Sequence, residues 1–335
     1  MSNYKKLRPT ISVIITVYDR KEFVIEAVES VIKQTAKRED YEIIVVKNYL
    51  DDKIDRFLLE NEIESIISKD QVVLFTKEAL TKARGEIISF LEDDDRFLPR
   101  KLDEVMRIFN DNRRIAYLHN NFYEVSRNGE IRKKSLIRPA SRDHILDTAK
   151  LNQRKRAPLL RYYAFYNASS ISVRKDVLLR IMEEHPDLIR GSPDICLLLL
   201  FSFSGCQIMF SSQYLTELRV HSDSWTFTAS DPDQLRLDLL GKEEKIYQSL
   251  VNKYKGSFAY PLLRIQNLEL VFRKYLLDSS VNRPKIDDLL EFSYYSFKRG
   301  NRLYLLIVLL RYVGLVSQRR LNEIAAFRKK GRISN

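Results

Sequence analysis

The sequence predicts an α/β protein, a mainly parallel sheet flanked by helices, with a C-terminal helical extension. Three observations carry that expectation. Strand-length runs of β-branched residues recur through the first hundred residues, each followed by a segment of helical period. These runs are almost wholly apolar rather than alternating, as suits strands covered on both faces. From about Asp231 onward only helical periodicity remains.

"ISVIITVY" (11–18) is the first strand. "DRKEFVIEAVESVIKQ" is a helix, with Phe23/Val24, Ala27/Val28 and Val31/Ile32 recurring on one face and Asp19 and Glu22 at capping-box spacing. "YEIIVV" (41–46) is the second strand and "DDKIDRFLLENEIESII" a helix. "QVVLF" (71–75) is a third strand, "KEALTKAR" a short helix and "EIISFL" (86–91) a fourth strand. "LPRKLDEVMRIFN" restarts helical period with Pro99 suited to its first turn. Past residue 114, "FYEVSRNGEIRKK" reads as a hairpin around Asn128-Gly129. "NASSISVRKDVLLRIM" is strand then helix, "SPDICLLLLFSFSG" a buried helix, and "CQIMFSS" with "YLTELRVH" strand-rich. The expected domains are 1–230 and a basic helical region, 231–335.

Composition narrows the class. The chain has 335 residues, 44% hydrophobic, enough for a sizeable core. Cys196 and Cys206 lie in apolar surroundings and read as small buried hydrophobes of a reducing compartment. "MSNYKKLRPT" has no apolar leader core, and "LYLLIVLLRYVGLV" (303–316) is shorter than the roughly 20 residues of a spanning helix. A cytoplasmic protein is expected. Net charge is +12, and residues 298–335 hold ten bases against one acid, Glu323. With the apolar run before it, this tail resembles an interfacial basic helix, so peripheral attachment to the inner face of a membrane is one expectation. The alternative is that these helices bury their own apolar faces. Nucleic acid is not an expected partner, because no aromatic-basic recognition motif is present.

Four constellations can carry chemistry. In "SFLEDDDRFLP", Glu92, Asp93, Asp94 and Asp95 follow the fourth strand, at the carboxyl end where parallel sheets bind ligands. A divalent cation turns carboxylate repulsion into shared coordination, and oxygen-only donors suit Mg²⁺ or Mn²⁺; the alternative is that Asp94 or Asp95 caps the next helix. Thr16, Tyr18, Asp19 and Arg20 end the first strand, where a hydroxyl and a ring can hold a nucleobase; the alternative is an ordinary strand-to-helix turn with Asp19 as its cap. Asp194 opens an apolar helix, either as an ordinary N-cap neighbour or as a carboxylate that enters a buried element from its open end, where its basicity can rise toward that of a general base. Arg219 and His221 can together hold a diphosphate, with His221 reaching a metal or serving only structure.

"SVIITVYDRKEFVIEAVESVIKQT", "YEIIVV" and "ARGEIISFLEDDDRFLPRKL" resemble the amino-terminal half of family 2 glycosyltransferases of the GT-A fold. The resemblance covers about 10–225, more weakly through "NASSISVRKDVL", "PDICLLL" and "LRVH". It implies a GT-A-type nucleotide-diphospho-sugar transferase fold, with a nucleotide-binding half at 10–115 and an acceptor half at 116–230. It also implies metal-dependent inverting transfer of a sugar from a nucleoside-diphosphate sugar to a glycan, lipid-linked or protein hydroxyl. Carried over by position, Asp94 is the direct metal ligand with Glu92 and His221, and Asp93 faces ribose or phosphate. Thr16 and Tyr18 line the base pocket, His221 matches a late His that contacts diphosphate or metal, and Asp194 is the catalytic carboxylate. Where the family has two aspartates before Gly-Ser, this chain has Lys47-Asn48, so Asn48 takes over the hydrogen bond to the base. That departure supports an alternative: an inactive or divergent GT-A-fold protein acting as a binding or adaptor module.

Overall fold

Apolar β-branched residues with no polar alternation have to be covered on both faces, and the first strands meet that need by lying side by side. The computed structural model describes residues 9–68, 77–132, 139–150, 167–190, 193–221, 234–257, 259–278, 281–299 and 302–315. The described residues up to Val220 form one compact unit and those from His221 a second.

In the first unit, β1 (Ile11–Val17) pairs in parallel with β2 (Tyr41–Lys47) and β4 (Ile87–Glu92), and β2 with β3 (Glu64–Ile67). Helices α1 (Val24–Ile32), α2 (Asp52–Glu60) and α4 (Lys101–Asp111) bury Val28, Leu58, Val105 and Phe109 in one core with these strands. The short α3 (Lys77–Lys82) precedes β4. β5 (Arg96–Phe97), β6 (Ile115–Val125), β7 (His144–Asp147), β8 (Ile171–Arg174) and β9 (Gln207–Arg219) extend the sheet in the order β3-β2-β1-β4-β8-β6-β9-β5, with β7 on β9. β8 runs antiparallel to both β4 and β6, so the sheet is parallel in its first half and mixed in its second. Helix α5 (Lys175–Glu184) and the almost wholly apolar α6 (Pro193–Ser202) complete the unit.

Several local expectations change. The predicted helix over 51–67 stops at Glu60. Glu62 adopts φ 54°, which breaks the helix, and the β-branched "ESII" becomes β3. "QVVLF" (71–75) lies outside the described residues. Asp19 and Glu22 form no capping box: α1 begins at Val24 without a side-chain cap, and Asp19 has φ 55°. The turn at Asn128-Gly129 forms as expected, with Gly129 at φ 83° and a Val125–Ile131 bridge across it. The described cysteines are both free.

Gly85 shows how tightly β4 meets β1. A Cβ there would stand 2.5 Å from the Ser12 backbone nitrogen and 2.6 Å from the Ile11 carbonyl carbon. Its N–H donates to Ser12 Oγ at 2.8 Å, and that hydroxyl donates to Glu42 at 2.6 Å. Gly85→Ala should therefore push the two strands apart and cost about 1–3 kcal/mol, read as a lowered denaturant midpoint. An unchanged midpoint would mean that the strands yield freely.

The second unit is helical. Gln234–Lys253, Tyr260–Leu277, Ile286–Arg299 and Arg302–Tyr312 are its helices. Leu268, Phe272, Leu289, Phe292 and Val308 are buried together. Val308 belongs to the apolar run 303–316, so that run spends one face on this unit's own core. Among the described residues no helix is long and apolar enough to cross a membrane.

Candidate active site

The parallel register of the first strands decides which residues meet at their carboxyl ends. Thr16 on β1 stands opposite Val46 on β2 and Glu92 on β4. The acidic turn follows Glu92 directly, and the chain past Thr16 delivers Arg20 onto it. Arg20 Nη1 donates to Asp94 at 2.6 Å, and its Nε and Nη2 hold Asp93. Burial works against the Arg20 guanidinium, but the charges of Asp93 and Asp94 outweigh it and raise its pKa.

Asp93, Asp94 and Asp95 are all buried. Burial, and behind it the charges of Asp95, Asp94 and Asp194, push the Glu92 carboxyl well above its ordinary range. Burial also drives Asp93 up to about 7 against the pull of Arg20. Asp95 is raised well above its ordinary range by burial and the charge of Asp94. Each of these shifts disfavours the ionised carboxylate, a cost that added positive charge would relieve.

Asp194 lies in the first turn of α6, half-buried, with Oδ1 accepting from the Ile195 N–H at 2.8 Å. It is close enough for its charge to raise both Glu92 and the buried Tyr117. Two carboxylates 102 positions apart in the sequence therefore share one electrostatic neighbourhood.

Behind the turn stands a buried polar network that centres on Ser169. Its Oγ donates to Asp95 at 2.6 Å and accepts from the Glu92 N–H at 3.0 Å. The Ser169 carbonyl accepts from Thr216 at 3.2 Å and from Lys101 Nζ at 3.5 Å. Asn167, held at φ 76°, takes the Ser169 N–H at 2.8 Å. Lys101 is fully buried, bonds Asn120 Oδ1 and lies 5.1 Å from the Phe97 ring centre.

Burial lowers Lys101 from its ordinary 10.5 to about 7. The unfolded chain then holds a proton between about pH 7 and 10 that the folded chain lacks, so this group makes folding more favourable as pH rises. The slope is about 1.4 kcal/mol per pH unit for one proton. Lys101→Met should lack that rise, so the wild-type unfolding free energy minus that of the variant should climb from pH 7 to 10. A difference flat from pH 7 to 10 would show that Lys101 stays charged.

Arg219 is buried and fastened to the back of the turn. Its N–H bonds Asp95 at 2.9 Å, Nε bonds the Asp94 carbonyl at 2.9 Å, and Nη2 bonds Glu26 at 2.8 Å. Nη1 donates to the Arg127 carbonyl, and Phe23 lies beneath the guanidinium at 4.3 Å. A diphosphate would have to share these donors. Asp95, weighed as a helix cap, instead accepts from Ser169 and Arg219, and the helix cap position falls at Arg100.

Asn48 and Asp19 bond each other reciprocally: Asn48 Nδ2 to Asp19 Oδ1 at 2.8 Å, and Asp19 N–H to Asn48 Oδ1 at 3.0 Å. Lys47 turns inward, with Nζ 2.6 Å from Asp55 and 2.8 Å from the Tyr49 carbonyl. Tyr18 is 38% exposed beside this rim. His221, buried, is the first residue of the second unit. The structure thus brings together Thr16, Glu92, Asp93, Asp94, Arg219 and Asp194, with Tyr18 and Asn48 at the chain ends of β1 and β2. Sequence reading passed over Ser169, Asn120 and the tethering of Arg20. A small polar residue inside an apolar strand-and-turn stretch, as in "NASSISV", is the only signal that points to the first.

The donor set of the turn is oxygen-only, of the kind Mg²⁺ or Mn²⁺ takes. Among the described residues no three His, Cys, Asp or Glu side chains are arranged to hold an ion. The fit is therefore to an ion held by one or two carboxylates, with its remaining positions left to substrate oxygens and water.

Residues 12–180 match the family model described as glycosyl transferase family 2. An uncharacterized glycosyltransferase of Methanocaldococcus jannaschii is 29% identical over 140 residues, 38% of this chain and 46% of that protein. One from Rickettsia conorii is 30% identical over 131 residues, 36% of this chain and 20% of that protein. The chain matches less than half the length of either relative. In fold, the chain resembles S. aureus TarS 1-349 in complex with UDP-GlcNAc, with a TM-score of 0.55 and 12% identity over 96% of this chain and 92% of that one. The same protein in complex with UDP gives a TM-score of 0.51 at 13% identity, with the same coverage.

Proposed function

The chain belongs to glycosyl transferase family 2, and from that premise we propose that it is a metal-dependent inverting transferase using a nucleoside-diphosphate sugar. The observation that carries this reading is the meeting of the acidic turn, the Thr16–Arg20 segment and Asp194 at the strand ends of one sheet. TarS, which shares the fold, is described in complex with UDP-GlcNAc, and that supports a nucleotide-sugar donor for this chain.

In this reading the base lies against Thr16 and Tyr18, with the Asn48–Asp19 pair at its edge. Asp94, supported by Glu92 and Asp93, would hold Mg²⁺ or Mn²⁺. The bound cation supplies positive charge beside the departing diphosphate. Arg20 and Arg219 hold the acidic turn in shape from front and back. Asp194 takes the proton of the acceptor hydroxyl while that oxygen bonds to the anomeric carbon on the face opposite the diphosphate. The bond from that carbon to the diphosphate oxygen breaks, the nucleoside diphosphate leaves, and the anomeric configuration inverts. The acceptor is a hydroxyl of a glycan, a lipid-linked saccharide or a protein.

The test is a panel of nucleotide-sugars, measured by calorimetric binding and by nucleotide release, with and without Mn²⁺. Binding of at least one donor, strengthened by Mn²⁺, is expected. If no donor binds with or without metal, the transferase mechanism fails, and the divergent binding module is favoured.

A further inference from the structure

The four consecutive acids form a turn, and one hydroxyl holds both of its ends. The Asp95 N–H donates to the Glu92 carbonyl at 3.2 Å, so Glu92 and Asp95 are the corners and Asp93 and Asp94 the central pair. β8 pairs antiparallel with β4 as far as Ser172 opposite Ser89. Three residues further in that register Ser169 faces Glu92, but the backbone ladder has already stopped. The Ser169 side chain stands in for it: Oγ accepts from the Glu92 N–H at 3.0 Å and donates to Asp95 Oδ2 at 2.6 Å. A hydroxyl carries one proton to donate and lone pairs that accept, so a single atom serves both corners at once.

Ser169 is itself held in place. It is fully buried, its N–H is taken by Asn167 Oδ1 at 2.8 Å, and its carbonyl accepts from Thr216 at 3.2 Å. Asn167 keeps φ at 76°, a backbone angle uncommon for a residue with a side chain. The arginines grip other parts of the turn. Arg20 bonds the side chains of Asp93 and Asp94, and Arg219 bonds Asp95 Oδ1 and the Asp94 carbonyl. Ser169 is the group that ties the strand end at Glu92 to the far corner.

We propose that Ser169 is the positioning residue of the acidic turn: by clamping Glu92 to Asp95 it fixes the direction in which Asp94 meets a divalent cation. The inference rests on the reading of Asp94 as the metal ligand. Ser169 touches neither ion nor substrate and acts on Asp94 through the backbone of the turn. Groups that orient a metal ligand from behind typically contribute about ten- to a hundredfold in metal affinity.

The test is titration of the full chain with Mn²⁺ alone, followed by loss of the free-ion electron paramagnetic resonance signal. Ser169→Ala should bind Mn²⁺ at least about tenfold more weakly than wild type. If that variant does not fold, Ser169→Cys, close to serine in size and a weaker donor and acceptor, should show the same weakening. Ser172→Ala is the matched comparison. It removes a fully buried hydroxyl that bonds Ser89 Oγ at 2.8 Å between the same two strands, away from the turn. It should lower the thermal midpoint and keep the wild-type Mn²⁺ affinity, whereas a general loss of stability would weaken both alike. The proposal is overturned if the Ser169 variant binds Mn²⁺ as wild type does, or if Ser172→Ala weakens binding equally; either result leaves the metal reading of Asp94 standing. A wild-type chain that takes up no Mn²⁺ would overturn the proposal and that reading together.

Discussion

Asp194→Asn should leave nucleotide-sugar binding intact and lower sugar transfer by roughly 10²–10⁴-fold, the contribution of a positioned general base. The substitution preserves shape, and an amide oxygen still accepts from the Ile195 N–H that Asp194 now holds at 2.8 Å. The first turn of α6 should therefore keep its geometry, and a normal thermal midpoint would separate lost chemistry from lost folding. What changes is the ability to take a proton and the negative charge that reaches Glu92. The readout is the transfer rate at saturating donor and acceptor beside the donor dissociation constant. A variant that transfers at the wild-type rate would remove Asp194 from the mechanism and move the search for a base to another carboxylate of the turn.

Asp94→Ala should abolish the Mn²⁺ dependence of donor binding and reduce transfer by more than about a hundredfold, the several kcal/mol a cation contributes beside developing negative charge. The side chain has two tasks that the experiment has to separate. It accepts from Arg20 at 2.6 Å, and it is the proposed metal ligand. Asp94→Asn keeps an acceptor for Arg20 but removes the charge that a hard cation needs. If both variants lose the metal response, the ligand role holds. If Asp94→Asn behaves as wild type while Asp94→Ala fails, Asp94 serves the Arg20 tether alone. A donor that binds Asp94→Ala with an unchanged Mn²⁺ response would place the ion elsewhere.

Most of the architecture was legible because it is local. A β-branched run too apolar to tolerate water on either face reads as a covered strand at 11–18, 41–46 and 86–91, and β1, β2 and β4 lie there. The apolar rows of α1, α4 and α6 were equally visible. The expectations failed where a backbone exception overrode periodicity, as at Glu62, where positive φ ends one element and frees "ESII" for the sheet. Asp19 is a second case: capping-box spacing needs an extended backbone at Asp19 and a helix directly after it, whereas Asp19 has φ 55° and α1 begins only at Val24.

For the candidate site, the sequence by itself determined the chemical material: four clustered acids after a strand, a hydroxyl and a ring at the end of another, and one carboxylate opening an apolar helix. Residue type and strand position suffice for that, since both are read within a few neighbours. Only the tertiary structure decided the arrangement. It set Thr16 beside Glu92, brought Asp194 within electrostatic range, and spent Lys47 on Asp55 rather than on the mouth of the sheet. It also turned Asp95 from an expected cap into a buried acceptor for Ser169 and Arg219, residues 74 and 124 positions away. Those partners could not be read in advance, because strand register and burial are properties of the assembled sheet. A buried carboxylate takes whichever donor the fold brings to it.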